Sequence, residues 1–127
     1  MLRHLIGVAL GGALGSLCRF GLSRWLARWN PHTSFSAGVL AANLLGCFLI
    51  GLMFAKIPPL EPELRDTLWA LVVTGFLGGL TTFSSFSLEL FQLSSASLWE
   101  TVLPYLAAHL GGGLVCIALG YRLGTLV

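Results

Sequence analysis

Charged residues divide this sequence into four long apolar stretches, and that spacing constrains the fold more than any other feature. A helix crosses the hydrocarbon of a bilayer in roughly 20 predominantly apolar residues. Nothing from Trp29 to Ala55 is charged, which predicts a spanning helix over 35–55. A further uncharged stretch runs from Thr67 to Leu88, between Asp66 and Glu89, and another from Thr101 to Tyr121, between Glu100 and Arg122. The N-terminal stretch is shorter: only His4 to Cys18 precede Arg19, and spanning length is reached by including that arginine. The expected spans are about 4–27, 35–55, 67–89 and 101–122.

The composition agrees with a lipid environment, since 9% of residues are charged where a soluble globular domain carries roughly 25%. One all-α integral-membrane domain over 1–127, crossing the bilayer several times, is the expectation. A net charge of +2 supplies no basic field for nucleic acid. Arg3 followed by "LIGVALGGALG" has the form of a signal peptide, but a second span follows it rather than a soluble domain. Trp25, Trp29, Trp69 and Trp99 all fall near span ends, as an aromatic belt requires. Cys18, Cys47 and Cys116 lie far apart in apolar segments without CxxC spacing, and read as small buried side chains rather than metal ligands or a disulfide.

Four spans put both termini and the 56–66 loop on one side, with the 28–34 and 93–100 connections on the other. Arg3, Lys56, Arg65 and Arg122 then oppose Arg24 and Arg28, joined by Arg19 if it snorkels outward. So small a bias is compatible with a single orientation. It is equally compatible with insertion both ways, in which two inverted copies pair about an axis in the membrane plane.

Small residues recur at four-residue spacing in Gly7, Gly11 and Gly15, in Gly38, Ala42 and Gly46, and in Gly112, Cys116 and Gly120. Such stripes let helix backbones approach closely in lipid. Four closely packed spans leave little room for a pore inside one copy, so a conduction path is expected to involve an oligomer.

Polar residues at membrane depth need partners or a function. Asn43 near the middle of the second span suits an interhelical hydrogen bond, and its amide NH₂ equally suits an anion. His109 in the fourth span has the same two readings. Arg19 reads as an anchor at the helix end or as a positive charge biasing a vestibule toward anions, and Glu89 as an interface residue closing the third span. The first, second and fourth spans contain no carboxylate at their centres, which disfavours proton-coupled export of cations by a small multidrug-type exporter. No Ser/His/Asp arrangement, phosphate-binding glycine loop or HExxH motif is present, so an enzyme is not expected.

The stretch "TGFLGGLTTFSSFSLE", Thr74 to Glu89, concentrates glycines, hydroxyls and phenylalanines inside the third span. Gly75, Gly78 and Gly79 lower helix propensity by up to about 1 kcal/mol each, and β-branched Thr81 and Thr82 add to that. A helix broken near its centre is expected, with freed carbonyls available to a hard cation. Phe83 and Phe86 share one face of a helix that restarts after the break, and their positive ring edges can meet a small anion.

Together with "GGALGSLCRF" at 11–20 and "LAANLLGCFLIG" at 40–51, that stretch resembles the Fluc (CrcB) fluoride channels, and the four-span layout extends the likeness over the whole chain. The resemblance implies a dual-topology antiparallel homodimer that passively exports fluoride to relieve its toxicity, with a structural Na⁺ at its centre. It implies that Asn43 lines the pore, that Phe83 and Phe86 form an aromatic box with Ser84 and Ser85 beside it, and that the Gly78 and Thr81 carbonyls of both copies hold the Na⁺. Arg19 matches the family's vestibule arginine, Glu89 the acidic residue ending the third helix, and His109 a polar position on the fluoride pathway. One departure stands out: the face His109, Gly113, Ile117, Tyr121 is polar at pore depth only at the histidine, where family members often continue a hydroxyl track.

Overall fold

A computed structural model of the chain describes residues 1–29 and 35–127, and residues 30–34 of the expected 28–34 connection lie outside the described residues. Every regular element among the described residues is helical. Helix α1 spans Leu2–Trp29, α2 Ala37–Lys56, and α6 Trp99–Leu126. The third crossing is composite: α3, Pro62–Leu68, leads into a π-helical segment, Trp69–Leu77, then a short α4, Gly78–Leu80, and after a break α5, Phe83–Ser95. Among the described residues, four helical runs are thus long and apolar enough to cross a membrane. The 28 residues of α1 and of α6 reach about 42 Å at 1.5 Å per residue, more than the roughly 30 Å of hydrocarbon. Their ends therefore extend into the interfacial layers.

The runs begin where the backbone is given a cap. Ser36 accepts from the Val39 amide at the start of α2, Pro62 opens α3, and Thr82 accepts from Ser85 N–H at the start of α5. These are the positions at which a helix otherwise leaves its first amides unpaired.

Packing pairs α1 with the first half of the third crossing and α2 with α6. Glycine makes both contacts possible. A Cβ on Gly11 would lie 2.8 Å from the Phe76 amide, one on Gly15 2.8 Å from the Leu80 amide, and one on Gly120 3.0 Å from the Leu52 amide. Any side chain at these positions drives two backbones apart. The core proper is small. Val39, Phe86, Leu93, Val102 and Tyr105 form one cluster, and Ala42, Leu77 and Leu80 another. Large apolar side chains elsewhere, including Leu10, Leu14, Leu17, Leu114 and Leu119, face outward, as lipid-facing residues do.

Gly75, Gly78 and Gly79 do not break the helix. Gly78 is helical, at φ −63° and ψ −34°, and no glycine has positive φ. The break falls after them, at Thr81 and Thr82, which are extended. Gly75 and Gly79 instead serve close approach, since Cβ atoms there would press on Gly11 and Gly12 of α1. The helix also continues past Glu89 to Ser95, so the glutamate lies inside the run rather than at its end.

Candidate functional site

The break at Thr81–Thr82 is held by a side chain from another helix. Asn43 Nδ2 donates to the Thr82 carbonyl at 3.1 Å, and the Thr82 amide donates to Asn43 Oδ1 at 2.8 Å. The Asn43 amide therefore pairs with an extended backbone as a neighbouring strand would, and the interhelical reading of Asn43 is the one the geometry shows. An NH₂ group carries two N–H bonds, so one remains beyond the Thr82 contact.

Diverting Thr82 N–H has a consequence four residues earlier. In an unbroken helix it would donate to the Gly78 carbonyl; here it donates to Asn43. The next carbonyl, Gly79, accepts from Arg19 Nε at 3.2 Å. Arg19 thus ties α1 to the end of the first half-helix, where the macrodipole presents negative partial charge. Leu77 O accepts from both the amide and the hydroxyl of Thr81, each at 3.0 Å.

Beyond the break, Thr82 caps α5 and gathers its hydroxyls. Thr82 Oγ1 lies 3.2 Å from Ser84 Oγ and 3.1 Å from Ser85 Oγ. Ser84 and Ser85 accordingly belong to the cap, with Ser84 exposed and Ser85 half-buried. In the sequence Thr82 figured only as a β-branched residue that loosens the helix, not as a cap. Its signal was present: a threonine three residues before Ser85, at the restart of an apolar periodic run, fits a helix N-cap.

Phe86 is buried and Phe83 is 77% exposed, their ring centroids 5.7 Å apart. Phe86 also meets the His109 ring at 4.3 Å and the Tyr105 ring at 5.7 Å. Tyr105, likewise overlooked in the sequence, joins these rings to a charge. Its hydroxyl donates to Glu89 Oε2 at 2.5 Å, and the same oxygen accepts the Ser36 amide at 3.1 Å. With these two donors Glu89 is accommodated within the helix, away from its end. Tyr105 stands four residues before His109 on one helix face, and that spacing is the signal that could have found it.

One open cavity of about 420 Å³ brings most of these groups together. Asn43, Gly78, Thr81, Phe83, Phe86 and His109 all line it, with Ile117 extending the wall toward the other end of α6. Ser84, Ser85, Arg19 and Glu89 are not in its lining. The wall is predominantly apolar, with a few convergent polar groups, as in binding sites generally.

Residues 6–121 match the family model described as CrcB-like protein, Camphor Resistance (CrcB). A fluoride-specific ion channel FluC of Stutzerimonas stutzeri (strain A1501) is 42% identical, over 99% of this chain and the whole of the relative. The protein of the same name from Azotobacter vinelandii (strain DJ) is 43% identical over 99% of this chain and all of its own length. A third, from Chloroflexus aurantiacus (strain J-10-fl), is 36% identical over 97% of this chain and 96% of its own. With a match of this extent laid over four spans and a clamped break in the third, the chain belongs to the CrcB family.

Proposed function

We propose that this chain is a fluoride-selective channel that passively exports F⁻ across the cell inner membrane, working as an antiparallel pair of inverted copies. The observation that carries the reading is the convergence of Asn43, Phe83, Phe86 and His109 on one cavity beside a clamped helix break. The names of the full-length relatives support fluoride as the ion and favour a channel over the exporter. A channel forms and breaks no covalent bond in its ion, so no enzyme activity is proposed.

Hydrogen fluoride crosses bilayers as a neutral acid and dissociates in the less acidic cytoplasm. The trapped anion then leaves down its electrochemical gradient, and no ATP or counter-ion is consumed. Selectivity over chloride comes from a narrow path in which the remaining Asn43 N–H and the positive edges of Phe83 and Phe86 make weak contacts. A larger anion does not fit between them.

Two features support a second, inverted copy. Gly78, Phe83 and Ser84 are exposed beside the break, yet irregular backbone at membrane depth persists only when protein or a water-filled cavity covers it. The charge count across the two sides is also close to balanced. In such a pair the Gly78 and Thr81 carbonyls of both copies would hold a Na⁺. The Gly78 carbonyl fits that role because its usual helical donor, Thr82 N–H, is engaged with Asn43. When bound, the ion supplies positive charge that fixes the two breaks together.

The test is fluoride efflux from proteoliposomes, followed with a fluoride electrode. Fast efflux is expected, and Phe83→Ile should reduce it strongly. Chloride efflux at a comparable rate would refute the selectivity.

A further inference from the structure

His109 lines the cavity described above. Its Nδ1 lies 3.1 Å from the Tyr105 carbonyl oxygen. A carbonyl only accepts, so Nδ1 must carry the proton in this contact. In the neutral ring Nε2 is then a bare lone pair, and that atom is buried without a hydrogen-bond partner. An anion facing Nε2 meets an acceptor. A proton on Nε2 reverses the contact, because an imidazolium donates from both nitrogens.

Two neighbours, Phe86 and Glu89, favour that second state. The Phe86 ring faces the imidazole with centroids 4.3 Å apart and planes 31° from parallel, a geometry in which the negative ring face attracts a cation. Among the described residues, the groups that face His109 are few. On α6 itself there is Tyr105, with its ring edge-on at 4.4 Å, and Cys116 two turns further along. From α5 comes Glu89, bonded to the Tyr105 hydroxyl, and from α2 Cys47, which shares the cavity wall. The π-helical segment and α4 contribute Val73, Leu77 and Gly78 to that wall, none of them titratable. Helix α1, with Arg19, does not touch α6. Glu89 is the one carboxyl group in this set, and a carboxylate complements an imidazolium in sign.

We propose that fluoride binds against His109 only when Nε2 carries a proton, so that proton binding at this one imidazole switches the pathway to a conducting state. The proposal rests on the fluoride reading above and adds a ligand to it. The proton comes from cavity water, stays on the ring while successive anions pass, and returns to water; none travels with the ion. Conduction is therefore proton-gated without being proton-coupled.

The experiment is fluoride current through the full chain reconstituted in planar bilayers, with equal pH on both sides, stepped from about 8.5 to about 4.5 so as to cross the histidine range and the acidic side of it. Current should rise by roughly tenfold as pH falls, along a one-proton curve, and a pH gradient should leave the reversal potential unmoved. His109→Ser keeps a hydroxyl donor that does not titrate in this range, so the current that this variant carries, whatever its size, should not depend on pH. A pH-independent wild-type current, a pH response retained in His109→Ser, or a reversal potential that follows the pH gradient would each overturn the gate while leaving the fluoride channel intact. No fluoride current from the wild type at any pH would overturn both readings. A nitrogen NMR measurement on the wild type checks the premise separately, since a neutral ring protonated at Nε2 rather than Nδ1 would overturn it.

Discussion

At the scale of single residues, the site depends on Asn43 and Thr82. Neither is part of the other's helix, yet each satisfies both polar groups of its partner. Asn43→Ala leaves an amide and a carbonyl of Thr82 unpaired at membrane depth, at a cost of about 1–3 kcal/mol each. The expected outcome is efflux reduced by about tenfold or more together with a lower Tm, read by the fluoride electrode and by thermal unfolding in detergent. Unchanged efflux would show that the break holds without its clamp. Asn43 itself was legible in the sequence as an amide with no water to meet it. Its partner was not, because the contact joins positions 39 residues apart and follows only from how α2 lies against the break. Arg19 is similar. The choice between anchor and vestibule could not be made without knowing that the Gly79 carbonyl sits opposite it.

At the scale of elements, the glycine stripes of α1 and α6 could be read directly, and the interior of the third crossing only in part. A run that is apolar on every side gives no periodicity by which to distinguish α from π geometry, so the widened turns over Trp69–Leu77 leave no mark in the sequence. The break was anticipated but displaced. Glycine lowers helix propensity, yet Gly75 and Gly79 stay helical because close contact with Gly11 and Gly12 rewards straight, closely packed backbones. The extended residues are the β-branched pair that follows. Gly11→Leu should therefore abolish the folded protein, since a side chain there runs into the backbone of Leu71 and Phe76. Gly21→Leu, on the same helix with nothing within 4 Å of its Cβ position, should behave like the wild type. Size-exclusion profiles of the two variants distinguish a packing stripe from general sensitivity of α1. On α5, Thr82→Ala removes the cap and should lower stability by about 1 kcal/mol, visible as a Tm decrease smaller than that of Asn43→Ala.

At the scale of the whole molecule, one copy leaves its own break uncovered. The exposed Phe83 and Gly78 stand beside polar backbone, and a helix bundle in lipid cannot leave such backbone facing hydrocarbon. The near-equal distribution of Arg and Lys between the two sides gives the insertion machinery little to choose by. The antiparallel pair proposed above answers both facts, with copies that insert both ways and meet at their breaks. The prediction concerns the C-terminus. With Cys18, Cys47 and Cys116 replaced by serine or alanine, a single cysteine appended after Val127 reports which side that end occupies. A membrane-impermeant maleimide added to intact cells should label about half of it, and the remainder should become reactive only after the membrane is opened, as inverted pairing requires. Labelling that is complete, or absent until lysis, would mean one orientation only. The antiparallel pair would then fail, and with it the shared Na⁺ site, while a fluoride path within parallel copies would still be open to the efflux assay. Adding two arginines beside Arg122 should drive that end to the cytoplasm and leave efflux-competent pairs only when a copy biased the opposite way is co-expressed.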